Sequence, residues 1–110
     1  MSVLAACITF HVQVSEVNSW NEGSIPCYQI DMKVTNTSTT AAKHMRLRVA
    51  TAGAELQKFW NAVKLPEYEP GCWVFDMPDW VGPAGLAAGA SVVVGIITQG
   101  AKPTSFELHV

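Results

Sequence analysis

The segment of residues 59–80 constrains the fold of this chain most. It contains three of the four tryptophans and three of the six prolines. Each proline removes a backbone hydrogen-bond donor and holds φ at roughly −65°. Prolines at this spacing exclude a long helix or one long strand, so we predict loops and short extended pieces. Such a segment holds flat aromatic rings at fixed angles.

Elsewhere, apolar and polar residues alternate with the period of two that is typical of half-buried strands. The alternation covers residues 6–14, 28–34, 44–50 and 105–110. Residues 91–98 are almost continuously apolar, which predicts a central strand buried on both faces. Gly95 within that run indicates either a bulge or a close backbone approach. We therefore predict an all-β protein, a single domain over residues 1–110 folded as an antiparallel, jelly-roll-like β-sandwich of six to eight strands.

Three local interpretations accompany this prediction. Residues 17–26 have the composition of a polar loop, and residues 51–57 fit either one helical turn or a loop. If residues 28–34 and 44–50 pair as a hairpin, their outer faces bring an acidic and a basic residue of the first strand near two arginines of the second. The residues concerned are Asp31, Lys33, Arg46 and Arg48.

The three cysteines leave at least one thiol free or paired with another chain. Cys27 and Cys72 both lie next to turn residues, so a disulfide between them is possible, and three reduced thiols are the alternative. No C-x-x-C pair occurs, and no histidine spacing is typical of a metal site. We predict neither a metal nor a cofactor.

Charge and hydropathy exclude several classes of partner. The net charge is −2 and the basic residues form no dense patch, which disfavours binding to duplex nucleic acid. No apolar run approaches the ~20 residues that span a bilayer, so we predict no membrane insertion. The first ten residues lack the basic and apolar regions of a signal peptide. This indicates cytosolic synthesis, or a leader that has already been removed.

Residues suited to catalysis do not assemble into a recognisable set. Glycoside hydrolysis requires two carboxylates at a defined separation, and only Asp76 and Asp79 lie close together among the aromatics. Beside a sugar-binding surface, such acids more often accept hydrogen bonds from hydroxyl groups. No nucleophile motif occurs. We predict that the chain is not an enzyme, and a small hydrolase using these two acids is the catalytic alternative.

The aromatic residues give the sharper functional prediction. The apolar face of a pyranose stacks on an indole, while polar residues at the rim bind its hydroxyl groups. Trp73 shares a short strand with Phe75 and is predicted to lie in the core. The predicted carbohydrate-binding residues are Trp20, Trp60, Trp80, Tyr68, Asn61, Asp76 and Asp79, with Asn21, Glu22 and Gln57 nearby. The alternative function is protein interaction, with the same rings serving as interface anchors.

The order of these features resembles a known family. In sequence they are Trp20, Tyr28, the turn of residues 34–38, Leu47, Phe59-Trp60, residues 73–80 and the turn of residues 86–89. This order is similar to the family-49 carbohydrate-binding modules of plant cellulases and of cellulose-binding proteins from amoebae and slime moulds. More distantly it resembles the bacterial family-2 modules. The resemblance implies an antiparallel β-sandwich that binds cellulose and related β-glucans through a linear aromatic array, here Trp20, Trp60 and Trp80, with Tyr28 less certain.

Two features modify what the resemblance implies. The loop between Trp60 and Trp73 looks longer than in the plant modules, and a pocket formed there favours a lectin for glycoprotein glycans over a polysaccharide binder. Agglutination by a lectin needs two sites, so a homo-oligomer is possible. The family implies an extracellular or cell-surface location. Residues 36–38 form a glycosylation sequon, which we interpret as turn chemistry.

Overall fold

The computed structural model describes residues 8–66 and 71–109 and contains eight strands within these ranges. The strands are β1 (Phe10–Glu22), β2 (Ile25–Asn36), β3 (Arg46–Ala50), β4 (Glu55–Trp60), β5 (Val63–Lys64), β6 (Cys72–Asp76), β7 (Ser91–Gln99) and β8 (Phe106–His109). A single 3₁₀ turn, Asp79–Val81, is the only helical element among the described residues. None of the described helical segments is long and apolar enough to cross a bilayer.

The strands form two four-stranded antiparallel sheets. The front sheet has the order β1-β2-β7-β4, and the back sheet has the order β5-β6-β3-β8. Two residues, Asn61 and Ala62, connect β4 to β5, so the chain crosses directly from the edge of the front sheet to the edge of the back sheet. The predicted all-β antiparallel sandwich of six to eight strands is confirmed.

The core lies between the sheets and follows the alternation of the sequence. Met32, Val34, Val94 and Ile96 line the inner side of the front sheet and are almost completely buried. The back sheet contributes Leu47, Val49, Trp73 and Phe75. Burying one such side chain contributes roughly 1.5–3 kcal/mol to the free energy of unfolding. Trp73 is only 7% exposed, which confirms that it is a core residue.

The first hairpin is longer than the sequence indicated. β1 continues to Glu22, and Gly23 and Ser24 form the turn, so residues 17–26 are mostly strand rather than a polar loop. Gly23 adopts φ 65°, which glycine reaches without strain. A bulge between Glu16 and Asn18 changes the phase of the alternation, and most of β1 is exposed on both faces. Because the alternation has no constant phase and neither face is buried, residues 17–22 show no strand pattern in the sequence.

The predicted hairpin of residues 28–34 with residues 44–50 is wrong. β2 pairs with β1 and β7 on its two edges, while β3 pairs with β6 and β8 in the other sheet. Asp31 therefore does not meet Arg46. Residues 51–54 turn through left-handed conformations at Ala52 and Gly53, and β4 begins at Glu55, so residues 51–57 are a turn followed by a strand.

The predicted disulfide is not formed, since Cys27 and Cys72 are both free thiols. Side chains alternate between the two faces of a strand. Cys27 is out of phase with the inward Ile30 and Met32, and Cys72 is out of phase with the inward Trp73. The two thiols consequently project from opposite outer faces of the sandwich, whereas a disulfide requires Cα atoms within about 7 Å.

Asn36 joins the end of β2 to two loops and is completely buried. Its Nδ2 donates hydrogen bonds to the carbonyl oxygens of Thr40 and Leu86, both at 2.8 Å. Its Oδ1 accepts from the backbone N–H of Ser38 at 3.0 Å. With both amide hydrogens used inside the protein, the interpretation of the sequon as turn chemistry agrees with the structure.

Candidate functional site

Trp60 lies on the outer face of the front sheet, near the end of the edge strand β4. Its neighbour Phe59 turns the other way and contacts the core ring of Phe75 at a centroid distance of 5.7 Å. Trp60 pairs with Gly95 of β7, and a Cβ added to Gly95 would overlap Cε2, Cζ2 and Nε1 of the indole. The indole therefore packs directly on the backbone of β7. Of the two sequence interpretations of Gly95, the close approach is the one observed.

Trp20 lies on the same outer face, at the opposite edge of the sheet. It pairs with the outward Cys27 and is half-buried, and its indole N–H donates to Oε1 of Glu22 at 3.5 Å. Cys27 is only 2% exposed, although it is on the outer side of the sheet. Desolvation raises the pKa of the Cys27 thiol, and the negative charge of Glu22 raises it further. This thiol is held in its neutral form next to the indole.

Trp20 and Trp60 occupy diagonal corners of one surface. Three strand spacings of about 4.8 Å and four residue steps of about 3.3 Å separate their Cα atoms by roughly 20 Å. The side chains between them are mostly polar, and Nε2 of Gln57 donates to Oε1 of Gln99 at 2.7 Å. We call this surface the front face; its members, from strand pairing and for Gln57 from its hydrogen bond to Gln99, include Asn18, Trp20, Gln29, Asp31, Lys33, Gln57, Lys58, Trp60, Gly95 and Gln99.

Trp80 is the most exposed of the four indoles, with 64% of its surface open to solvent. It belongs to the 3₁₀ turn that follows β6, and it is not part of a strand. Val63, three residues beyond Trp60, pairs with Asp76, three residues before the turn begins. Trp60 and Trp80 therefore lie towards the same end of the sandwich, and Trp20 lies towards the other.

Asp76 fixes the backbone where β3 and β6 meet. Its Oδ1 accepts the N–H groups of Met45 at 2.8 Å and Met77 at 2.7 Å, and its Oδ2 lies 3.1 Å from Nδ1 of His44. Burial alone raises the pKa of this carboxyl, but the two amides and the imidazole together bring it below its ordinary value. The hydrogen bonds to backbone give Asp76 a structural role.

Asp79 is an exposed residue beside a cleft, whereas Asn61 has a structural role. Asp79 is exposed on the 3₁₀ turn, beside a cleft of about 310 Å³ that His44 and Asp76 also line. Nδ2 of Asn61 donates to the carbonyl oxygen of Val93 at 3.1 Å, and its backbone is left-handed, with φ 59°. Asn61 thus shapes the crossing from β4 to β5. Tyr68 lies outside the described residues.

A groove of about 740 Å³ follows the edge of β4 beside Trp60. Phe59 and Trp73 contribute aromatic surface to it, and Lys64 contributes a charge. Among the described residues, no cluster of three or more potential metal ligands occurs.

Apart from Gln57, the polar residues of the front face were not predicted as site residues by the sequence analysis. Asp31, Gln29 and Gln99 lie far from the aromatic segment in sequence. Strand pairing alone brings Asp31 into the row of Gly95 and Trp60, and it places Gln29 and Gln99 between Trp60 and Trp20. The alternation of residues 28–34 did indicate that Asp31 and Gln29 point outwards. It could not show which strand lies next to them.

The chain is similar to known proteins in sequence and in fold. The model of the carbohydrate-binding domain family CBM49 matches residues 10–99. The chitin-binding domain of Chi18aC from Streptomyces coelicolor is similar with a TM-score of 0.69 and 20% identity, over 91% of this chain and 90% of that one. The chitin-binding domain of a Pyrococcus furiosus chitinase has a TM-score of 0.53 and 21% identity, over 96% and 95%.

A third similar structure is ChBD2 from Thermococcus kodakarensis KOD1, with a TM-score of 0.53 and 21% identity, over 91% of this chain and 85% of that one. At such identities the likeness shows a common fold. No curated protein matches the chain.

The family match confirms the resemblance to family-49 modules. It also confirms the coarser functional prediction, namely non-catalytic binding of carbohydrate rather than hydrolysis. The stacking mechanism, the individual site residues, glycoprotein glycans as ligands, the single-domain assignment and a homo-oligomer stay predictions.

Proposed function

This chain belongs to the CBM49 family of carbohydrate-binding domains, and on that premise we propose that its front face binds an extended polysaccharide by stacking sugar rings on Trp20 and Trp60. The observation that carries the proposal is the shared outer face of these two indoles, at opposite corners of one open sheet. Trp80, exposed towards the end of the sandwich where Trp60 lies, extends the array.

The separation of the rings favours a polymer over a single sugar. A span of roughly 20 Å between the Trp20 and Trp60 Cα atoms is several sugar rings long. If each stacked ring removes roughly 80 Å² of apolar surface from water, it contributes about 2 kcal/mol. One such contact gives weak binding, whereas two or three contacts along one chain give useful affinity. The proposed ligand is therefore a chain long enough to reach at least two indoles.

The polar residues between the indoles supply the hydrogen bonds. Gln29, Gln57 and Gln99 offer amide donors and acceptors beside the path from Trp20 to Trp60. The backbone that carries these side chains is already fixed in the sheet, so no loop has to be ordered when a ligand binds. An unbranched β-linked polysaccharide matches a flat surface of this kind. The structural neighbours include chitin-binding domains, so chitin is a candidate ligand beside cellulose.

Retention on insoluble chitin and on cellulose tests the proposal. Trp20→Ala and Trp60→Ala should each weaken retention by tenfold or more, because about 2 kcal/mol corresponds to roughly thirtyfold in affinity. Phe59→Leu is the matched control, since it alters the exposed aromatic residue that points to the other side of β4. We expect that variant to bind normally.

Unchanged binding by both tryptophan variants would refute the front face as the site. A glycan array run in parallel addresses the lectin alternative. Binding of glycoprotein glycans without retention on either polysaccharide would favour a lectin and overturn the polymer assignment.

A further inference from the structure

Four residues form a continuous row across the front sheet. Strand pairing places Ser15 beside Asp31, Asp31 beside Gly95, and Gly95 beside Trp60. All four positions are on the outer face. The third position has no side chain, and the indole of Trp60 occupies the space that a side chain would fill. The ring thereby extends from the edge strand across β7 and towards Asp31.

Gly95 is required by this packing and not by its own backbone. It is absent from the glycines with left-handed φ, so its extended conformation is one that alanine adopts readily. The obstacle to a side chain is Trp60 itself, three atoms of which would overlap the added Cβ. A methyl group at Gly95 would have to push the indole away from the sheet.

Asp31 provides a charged acceptor next to this ring. It is half-buried, and its carboxylate makes no hydrogen bond or ion pair with any residue in the described ranges 8–66 and 71–109. Neighbouring strands lie about 4.8 Å apart, so the Asp31 side chain stands one strand beyond the backbone that the indole covers. A carboxylate covered by a ligand and left without a donor would lose its hydration at a considerable cost.

We propose that Gly95, Trp60 and Asp31 form one sugar subsite, in which Gly95 positions the indole and Asp31 selects the sugar. The indole carries the apolar face of the sugar. The carboxylate accepts a hydrogen bond from a donor on the edge of the same sugar, either a hydroxyl group or the N–H of an acetamido group. Binding here selects sugars that present a donor towards Asp31. This inference rests on the proposed function.

Calorimetric titration with soluble chito- and cello-oligosaccharides tests both residues. Gly95→Ala should weaken binding about tenfold, and it should have no further effect in a Trp60→Ala background, because Gly95 acts only through that ring. Additive losses in the double variant would overturn the positioning role. Circular dichroism and thermal unfolding verify that each variant is folded.

Asp31→Asn should weaken binding about fivefold to tenfold, since a hydrogen bond to a charged acceptor is stronger than one to a neutral amide. Glu16→Gln is the matched control: it removes an acid that pairs with Lys102 on the other side of β1, and binding should be unchanged. Loss confined to the chito-oligosaccharides identifies the acetamido N–H as the donor, and loss in both series identifies a hydroxyl group. No loss in either series overturns the role of Asp31.

The proposed function and this inference fail in different ways. If Trp20→Ala and Trp60→Ala both bind normally, the front face is not the site. If Trp60→Ala binds normally and Trp20→Ala does not, the front face stands and the subsite is wrong. If Trp60→Ala loses binding while Gly95→Ala and Asp31→Asn retain it, the front face stands and the subsite is wrong.

Discussion

Replacing Asn36 by alanine is expected to destabilise the fold more than any single change on the front face. The substitution deletes the two hydrogen bonds to the carbonyls of Thr40 and Leu86 and the one accepted from the backbone N–H of Ser38. The Ser38 hydroxyl, which also donates to Asn36, keeps the Thr40 carbonyl as its acceptor, so three bonds are lost. The substitution leaves the N–H of Ser38 without its partner, at a site where Asn36 itself has no exposed surface. It leaves the carbonyls of Leu86 and Thr40 with one donor each, the Ala42 N–H and the Ser38 hydroxyl. At about 1 kcal/mol for each bond, the loss is roughly 3 kcal/mol.

The Asn36→Ala substitution would also affect the loop that leads into β7. The backbone N–H of Asn36 donates to Ala90, and its carbonyl accepts from Gly89, so this residue also anchors the loop leading into β7. A loss of about 3 kcal/mol corresponds to a decrease in Tm of roughly 10–20 °C for a chain of this size. Differential scanning calorimetry and urea unfolding measure this directly.

Two further variants identify the cause. Asn36→Asp keeps an acceptor for Ser38 but places a carboxylate against two carbonyl oxygens, so it should be at least as damaging as alanine. Thr37→Ala changes an exposed neighbour within the same sequon and should lower Tm by only a few degrees. A Tm for Asn36→Ala within about 3 °C of the parent protein would refute the assigned role. So would an N-glycan on Asn36 of the folded protein expressed in a secretory host.

Three other outcomes are expected. Asp76→Asn should lower stability at pH 7 by about 1–3 kcal/mol, through weakened bonds to the amides of Met45 and Met77. Because the folded-state pKa of Asp76 is lowered, its contribution is complete above its ordinary pKa of about 4 and is lost as the pH falls through the folded value, so parent and variant should converge in urea titrations near pH 2. A thiol reagent should label Cys72 in the native protein and Cys27 only after unfolding, and equally fast labelling would contradict the burial of Cys27. Retention on polysaccharide should change less than twofold between low and high salt, because stacking on indoles involves no ion pairs; a steep salt dependence would contradict this mechanism.

The spacing of apolar residues along the sequence determined much of the fold. Alternation over residues 28–34 and the apolar run of residues 91–98 identified two strands, which are β2 and β7 of the front sheet. The prediction that the run is buried on both faces is wrong, because its outer face is open at Val93. The phase shared by Trp73 and Phe75 placed both rings in the core. These features depend only on which residues are apolar and how they are spaced. The same signal identified the first part of β1 through residues 6–14, but it fails over residues 17–22, where both faces are mostly exposed and a bulge shifts the phase.

Only the tertiary structure decided which distant residues meet. The sequence predicted that Trp20 and Trp60 lie in or next to loops, whereas strand pairing places them on the two edge strands of a single sheet. The overlap of Trp60 with Gly95, the nearness of Asp31, and the separation of Cys27 from Cys72 depend on strand order and register. Each strand's pattern states which face a side chain occupies, but it carries no information about the neighbouring strand. That choice is made collectively, by whichever pairing buries all the inward residues at once.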